Sequence, residues 1–582
     1  MKKWDVLHKL KIQNEKFKTD ELIDLLLANR GIKTAKEREE FLHPTLENVT
    51  PDTVGIDPKQ LKKALGRINK AIEKKEQIVV FGDYDVDGIT GSAILWEALH
   101  SLGADVLPYI PHRVDEGYGL STLGIQNAKL KVQNLKLIIT VDNGIVANEA
   151  VTFANKQKID VIITDHHVPP SGELEKVPDA FAIVHTTKLC GAGVALLLAK
   201  ALGINEDGHL ELATLGTVAD LVPLTGANRA IVKYGLEKVA DTKRPGLQEL
   251  YKNAGLQKEV FSPYEIGYVI GPRLNASGRV ESAMDSLRLL CTTKRERAIE
   301  LAAKLELVNK ERQQLLKEAK EHAIAGVRAL GLDIRKLLFV SHESYAQGII
   351  GLVAGKLVEE FYRPAIVLAI GEKQSKASAR SVSGFNIIEF LRLHTSHLIN
   401  VGGHPMAAGF TIETAKIAVF KKTLEKKADE FLTEEILTRN LKIDCELPFS
   451  LITQKLYQSL QQLAPFGMQN AEPVFATRKV TVDDLRIMGK DKTHLRLVLS
   501  QSVISNEVRD LEHNNEKISP ASNAVRNDNV RVTFEAVGFG MAEFASEIHS
   551  GDTIDIAYTI DENVWNGNVK LQLMLKDVRS VS

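Results

Sequence analysis

Three apolar runs in this chain each end in acids or histidines. QIVVFGDYDVDG occupies Gln77 to Gly88, LIITVDNG occupies Leu137 to Gly144, and DVIITDHH occupies Asp160 to His167. Runs so rich in β-branched and aliphatic residues are expected of strands covered on both faces of a parallel sheet. That demands helices on either side, and so a doubly wound α/β domain. In open sheets of this kind ligands bind outside the carboxyl ends of the strands, so the three runs aim their polar residues at one crevice. It would hold Asp83, Asp85, Asp87, Asp142, Asp165, His166 and His167. So many carboxylates a few ångströms apart repel strongly at low effective dielectric, and a pair of divalent cations is the simplest counter-charge.

At 582 residues the chain exceeds what one core usually supports, so several domains are expected. Residues 1–50 form a small N-terminal element, with a helical pattern in TDELIDLLLANRG that stops at Gly31, expected to pack against the domain next to it in sequence. Residues 51–290 alternate strand and helix patterns and constitute the doubly wound parallel-sheet domain. From Thr292 to Ala325 the chain has neither Gly nor Pro and carries dense charge with apolar residues at helical spacing, so 291–329 reads as a long connector helix with a solvated face. A second α/β unit occupies 330–435, with strands in KLLFVSH and PAIVLAIG around a helix in GIIGLVAGKLVEEF. From 436 to 582 strand-like segments dominate, and Asn566-Gly567 between two of them is a strong hairpin signal. A module of this size and strand count points to an oligonucleotide-binding (OB) barrel. A polar stretch at 501–529 is expected to be a mobile insertion, and the barrel aromatics Tyr558, Phe539 and Trp565 are read as core more readily than as base-stacking groups.

Lys plus Arg total 74 against 75 for Asp plus Glu, so global charge gives no sign of a polyanionic partner. An acidic metal pocket would, however, mask basic clusters elsewhere in the sum. The three cysteines, Cys190, Cys291 and Cys445, lie too far apart for a zinc knuckle and fit a reducing cytoplasm. No segment gives 18 uninterrupted apolar residues, and MKKWDVLHKLKIQNEKF lacks the apolar core of a leader, so neither membrane spanning nor secretion is expected.

In an extended segment residues i and i+2 project from the same side, so Asp85 and Asp87 of GDYDVDG are expected to share a metal centre. Gly88, Thr90 and Gly91 then lead into a helix whose free N–H groups face any anion in the pocket. His166 and His167 point in different directions, one toward metal and the other toward substrate or a ligand it orients. Mixed carboxylate and imidazole ligation suits Mn²⁺ or Mg²⁺. Two such ions about 3.5–4 Å apart would share a carboxylate and clamp the oxygens of an in-line displacement at phosphorus, so the expected chemistry is phosphoester hydrolysis.

GDYDVDGITG, TVDNG, TDHH and a VAD ending at Asp220 resemble the four successive motifs of the DHH phosphoesterase superfamily. Together with PHRVDEGYG from Pro111, GPRLNASGR from Gly271 and GGHPMAAG from Gly402, their order resembles its RecJ branch of single-stranded-DNA-specific 5′→3′ exonucleases. The resemblance implies Asp85, Asp87, Asp142, His166 and Asp220 as ligands of two Mn²⁺ or Mg²⁺ ions, with Asp142 as the bridge and Asp83 and His167 in supporting catalytic roles. Phe81 stands where many superfamily members carry a histidine, a departure shared by the RecJ branch. The second α/β unit resembles the DHH-associated domain. This implies that Gly402, Gly403 and His404, with Ser378 and Arg380, hold the nucleic-acid strand.

Arginine's planar fork suits bidentate phosphate recognition, so Arg279 and Arg380 are candidates for a terminal 5′-phosphate and Arg113 for the scissile group. The implied product is the 5′-mononucleotide, and the implied setting is recombination and repair. A single-strand-binding protein and a RecQ-type helicase are the expected kinds of partner for a monomeric enzyme. Two other readings stand beside this one. A small-substrate phosphoesterase, acting on short oligonucleotides or small nucleotides, would need neither an OB-like domain nor the absence of the early histidine. A non-catalytic DNA-binding scaffold is expected to have lost ligand residues.

Overall fold

The computed structural model describes residues 2–9, 19–113, 115–170, 177–257, 260–280, 282–329, 331, 335–504, 529–565 and 567–581. Most of the polar stretch at 501–529 therefore lies outside the described residues. The chain forms two compact units, Pro44–Thr438, and Met1–His43 together with Arg439–Ser582.

In the first unit, after the short helix Pro51–Val54, comes helix Pro58–Glu73, started by the Asp57 carboxylate on the Lys59 and Gln60 amides with Pro58 at the first position. It leads into a five-stranded parallel sheet in the order Val106–Tyr109, Gln77–Gly82, Leu135–Val141, Asp160–Asp165, Ala182–His185. Side chains alternate to the two faces, and each face has its own core. Ile78, Val80, Leu137 and Ile139 pack with helices Val86–Ser101, Gly191–Ala201 and Leu210–Ala219. Val79, Phe81, Ile138, Val161 and Ile163 pack with helices Thr122–Lys131 and Asn148–Lys156. This is the doubly wound arrangement expected from the apolar runs. The strand order reverses between Gln77–Gly82 and Leu135–Val141, which opens a crevice at their carboxyl ends.

The long helix runs Arg295–Arg328, 34 residues or about 50 Å. Ala298, Leu301, Ala302, Leu305 and Val308 are buried along it; the first four belong to the sheet's core, while Ala319, Ala323 and Val327 belong to a core with Val353, Ala354 and Leu357. It is thus more than a solvated connector, since its apolar stripe contributes to two cores. The second sheet has the order Leu398–His404, Ala407–Glu413, Gln374–Arg380, Ala365–Ala369, Leu338–His342, with only the last pair parallel.

In the other unit, strands Phe475–Met488, His494–Ile504, Asn529–Gly538, Asn568–Ser580 and Thr553–Trp565 pair in that order, and the last pairs back onto the first. The ring is a closed five-stranded barrel, as expected for an OB domain, and the strands on either side of the Asn566-Gly567 signal, Thr553–Trp565 and Asn568–Ser580, pair antiparallel; Asn566 itself lies outside the described residues. Tyr558 is fully buried, with its hydroxyl 2.8 Å from that of Thr477, whereas Phe539 is exposed and the Trp565 side chain lies outside the described residues.

The N-terminal segment departs from expectation. It joins this C-terminal unit and not the domain next to it in sequence. Strand Lys3–Lys9 pairs in parallel with Asn440–Glu446, covering an edge that would otherwise present unpaired backbone groups. Leu22, Ile23, Leu26 and Leu27 of helix Thr19–Asn29 lie in one core with Leu447, Phe475 and Tyr558. The Arg478 and Arg579 guanidiniums lie 5.0 and 4.2 Å from the centre of the Trp4 ring, whose indole N–H donates to Asp577 at 2.7 Å. Among the described residues no helix is long and apolar enough to cross a membrane.

Candidate active site

The chain leaves strand Gln77–Gly82 and turns into a helix almost at once. Asp85 caps that helix by accepting from the Gly88 amide at 3.1 Å, and Asp87 lies in its first turn. The acids are therefore not spaced along an extended segment, and the expectation that Asp85 and Asp87 project side by side is corrected. Their carboxylates belong to different groups of ligand atoms lying within 4.8 Å of one another: Asp83, Asp85 and Asp142 in one, Asp87, His166 and Asp220 in another, and Asp142, His166 and His167 in a third. Asp142 and His166 each belong to two groups, which places them between the two acid sets.

Backbone geometry fixes these positions. Asp142 adopts a left-handed conformation, φ +62°, with its N–H donating to Thr164 O at 3.0 Å. Such strain in a non-glycine residue persists only where the surroundings over-determine it. A Cβ on Gly88 would lie 2.6 Å from Asp83 O, and one on Gly191 would lie 2.5 Å from the Asp142 Cβ, so both glycines are needed for close approach. The Gly191 and Ala192 amides, at the start of helix Gly191–Ala201, donate to the two Asp87 carboxylate oxygens at 2.6 and 2.7 Å.

His166 Nε2 stands 3.1 Å from Asp142 Oδ1, 3.5 Å from Asp220 Oδ2 and 3.7 Å from Asp87 Oδ2. It has no hydrogen-bond partner in the described structure, and neither have Asp83 Oδ1 and Asp142 Oδ1, although all three atoms are buried. His167 is held differently, with Nδ1 2.8 Å from Asp165 and Nε2 3.2 Å from the Tyr118 hydroxyl. Asp165 also accepts from the His166 and Ile145 amides, so it braces the loop from behind.

Charge is unbalanced on both sides of the site. Burial, then mutual repulsion, raises the Asp83 and Asp142 carboxyls well above the usual range, raises that of Asp85, and pushes Asp220 up to about 9. Burial lowers His166. Burial would also lower His167, but the hydrogen bond and charge of Asp165 override it, so His167 is raised. Among the arginines the imbalance has the opposite sign. Arg279 is drawn down to about 10 by burial and by the charges of Arg113 and Arg312, and Arg380 is lowered by burial and Arg113. Arg279 also feels Asp85, so the cationic and anionic clusters adjoin.

Arg113 lies 4.9 Å over the Tyr84 ring, and Arg380 Nη1 donates to Ser378 Oγ at 3.0 Å. A Cβ on Gly351 would lie 2.9 Å from Arg380 Nη2. Arg279 Nη1 donates to Gly348 O at 3.1 Å, tying its helix to the second sheet's neighbourhood. The His404 ring lies 6.3 Å from that of His167 and nearly parallel to it. Gly403, at φ +142°, is required by the turn, since a Cβ there would lie 2.4 Å from Ala407 O, whereas Gly402 faces open space.

The DHH family N-terminal domain model matches residues 77–222, the DHHA1 domain model 334–430, and the RecJ OB domain model 443–509 and 507–577. The single-stranded-DNA-specific exonuclease RecJ of Bacillus subtilis is 37% identical over 584 residues, spanning 98% of this chain and 69% of that protein. The chain belongs to the RecJ family. RecJ of Haemophilus influenzae is 32% identical over 515 residues, covering 82% of this chain and 86% of that protein. The crystal structure of RecJ in complex with Mn²⁺ from Thermus thermophilus superposes with a TM-score of 0.78 at 27% identity, covering 100% of this chain and 80% of that one.

Several residues that shape this RecJ-family site were not singled out as functional in the sequence. Asn143 donates to Phe81 O at 3.1 Å and Val141 O at 2.9 Å, and accepts from the Leu120 amide at 3.0 Å, tying two strand ends to the 111–120 loop. Asn275 accepts from the Val86 amide, holding the helix start next to Asp85. Tyr118, Asn143 and Asn275 all lie inside motifs quoted above, which was the available signal. Nothing in the sequence marked Gly191 or Ala192.

Proposed function

We propose that this chain is a metal-dependent exonuclease that hydrolyses single-stranded DNA from its 5′ end and releases 5′-mononucleotides in DNA recombination and repair. One observation carries the reading: a buried acid cluster short of positive charge adjoins an arginine cluster short of negative charge. The donor set fits a pair of Mn²⁺ or Mg²⁺ ions, because three of its buried oxygen and nitrogen atoms have no partner and its ligands are carboxylates and imidazole. Asp85, Asp87, Asp142, His166 and Asp220 would hold the ions, with Asp142 shared and Asp83 a further carboxylate within reach. When bound, the cations supply charge neutralisation, an acidified water and polarisation of phosphoryl oxygens.

The protein's own groups do the positioning. The helix amides at Gly191 and Ala192 orient Asp87, and Asp165 fixes the His167 tautomer by taking the Nδ1 proton in a hydrogen bond. Arg279 and Arg380, with Ser378, Gly402, Gly403 and His404 alongside, would receive the terminal phosphate, and Arg113 the scissile group. The terminal phosphate carries about −1.5 to −2 charge at pH 7, against one for an internal diester, so the arginines favour a phosphorylated 5′ end. The next phosphodiester then falls at the acids. A single-strand-binding protein and a RecQ-type helicase are the partner kinds this activity calls for, and a monomer in the cytoplasm is the state it implies.

The test is digestion of a 5′-phosphorylated, 3′-labelled single strand beside the matching blunt duplex, with Mn²⁺ or Mg²⁺, by wild type and Asp142→Ala. Stepwise shortening of the single strand only, abolished by the substitution, supports the reading. Binding without shortening under either metal overturns it.

A further inference from the structure

Glu265–Ile270 forms a π-helical turn, a rare geometry that recurs at functional sites. Tyr268 lies within it, Tyr264 immediately precedes it, and both side chains stand in solvent, 61% exposed for Tyr264 and 73% for Tyr268. Their rings stack on each other, centroids 4.9 Å apart and planes within 25°. Two adjacent tyrosines so exposed contribute little to the fold, because their large apolar faces are left in water.

The position of this pair relative to the acids and arginines gives it meaning. The π-turn runs without a break into helix Gly271–Val280, which carries Asn275, the acceptor for the Val86 amide, and Arg279 of the arginine cluster. At its start a Cβ on Gly271 would lie 3.9 Å from that of Ala219, the neighbour of Asp220. One continuous helical segment therefore joins the rim of the acid cluster to the tyrosines. Tyr268 is seven residues before Asn275 and Tyr264 eleven, or roughly 10–16 Å along the axis at 1.5 Å per residue. At ~3.4 Å of rise per stacked nucleotide this spans about three to five nucleotides.

We propose that Tyr264 and Tyr268 form a stacking platform for a nucleobase of the single strand, several nucleotides 3′ of the end being hydrolysed. The inference rests on the exonuclease reading for its ligand but concerns a different part of the molecule. Every base offers a π-face, so the platform is indifferent to sequence, and each tyrosine has only two side-chain torsions to fix on binding. It would hold the strand while the shortened 5′ end moves forward into the arginines.

The experiment compares wild type, Tyr264→Ala/Tyr268→Ala and Tyr264→Phe/Tyr268→Phe on 5′-phosphorylated oligo-dT from 2 to 12 nucleotides, intact or with one abasic site. The expected result for the alanine pair is a KM raised about 5- to 140-fold on the longer strands, the range of one base stack at 1.4 kcal/mol per tenfold, with kcat unchanged. KM on the dinucleotide stays the same, and the phenylalanine pair restores wild-type values because the π-faces remain. In wild type an abasic site three to five nucleotides in raises KM similarly, and in the alanine pair it adds nothing. An unchanged KM on long strands, an equal loss on the dinucleotide, or an additive abasic effect overturns the platform. If wild type releases no nucleotide at all, fluorescence anisotropy with the same strands separates the two ideas. Tyrosine-dependent binding keeps the platform and overturns the exonuclease, while tyrosine-independent binding overturns both.

Discussion

Gly191→Ala tests how tightly the backbone fixes the acid cluster. The added Cβ would lie 2.5 Å from the Asp142 Cβ and 2.9 Å from its Cα and Cγ, where carbons normally rest ~3.5–4.0 Å apart, so about 1 Å of displacement is needed. Neither side can yield freely. Asp142 is pinned at φ +62° by its bond to Thr164 O, and the Gly191 amide is bonded to Asp87 at 2.6 Å. Overpacking of this kind costs about 1–3 kcal/mol of stability, while a 1 Å misplacement of catalytic groups costs on the order of 100-fold in rate. The expected outcome is a folded protein with a melting temperature a few degrees lower and kcat for nucleotide release at saturating Mn²⁺ reduced about 100-fold. Gly66→Ala is the comparison. It lies inside helix Pro58–Glu73 with nothing within 4 Å of the new Cβ, and should stabilise by about 0.5–1 kcal/mol with kcat unchanged. A Gly191→Ala enzyme that keeps kcat within threefold of wild type would refute the packing argument.

Arg380→Ala should lower kcat/KM on 5′-phosphorylated strands about 10- to 150-fold, the value of ~1.5–3 kcal/mol for a charge-assisted hydrogen bond, while activity on 5′-hydroxyl strands changes little. Equal losses on both substrates would remove Arg380 from the terminal-phosphate site. Mn²⁺ at about 100 times its Kd should stabilise the protein by ~2.7 kcal/mol in thermal melts, chelation should reverse this, and Asp142→Asn should abolish most of the gain. Far from the site, Glu97 is pulled down to about 2, because hydrogen bonds from Arg244 and His209 and the Arg244 charge outweigh burial. With a depressed folded-state value, this carboxyl contributes stability above its ordinary 4.5 and loses it as pH falls from there toward 2, about 3 kcal/mol in all at 1.36 kcal/mol per unit. Urea melts of Glu97→Gln should accordingly show a shallower loss of stability below pH 4.5, and an unchanged acid limb would contradict the assignment.

The parallel sheet and its crevice were legible because fully buried strands leave uninterrupted β-branched runs, and because Asp83, Asp142 and Asp165 stand directly at the ends of those runs. The helix start at Val86 was less visible. DYDVD reads as extended by alternation, and only the Asp85 cap on Gly88 shows that the chain has already turned. Lys3–Lys9 was hidden for another reason: a short strand whose partner begins at Asn440 carries no local sign of what it pairs with. Arg295–Arg328 looked solvated from its charge density, yet its apolar residues keep to the helical period closely enough to serve two cores in turn. Gly191 escaped notice because its importance lies in a contact with Asp142, and tertiary proximity of that kind leaves no trace in composition or spacing.

The pairing of Lys3–Lys9 with Asn440–Glu446 also sets an order of events during synthesis. The first strand leaves the ribosome about 400 residues before its partner exists, a delay of roughly twenty seconds to over a minute at ~5–20 residues per second. Through that interval its backbone groups and the apolar face of Thr19–Asn29 are without their native covering, while everything from Pro44 to Thr438 can complete its own cores. The barrel unit therefore closes last, and its earliest-made piece is the one a nascent chain must keep from misassociating the longest.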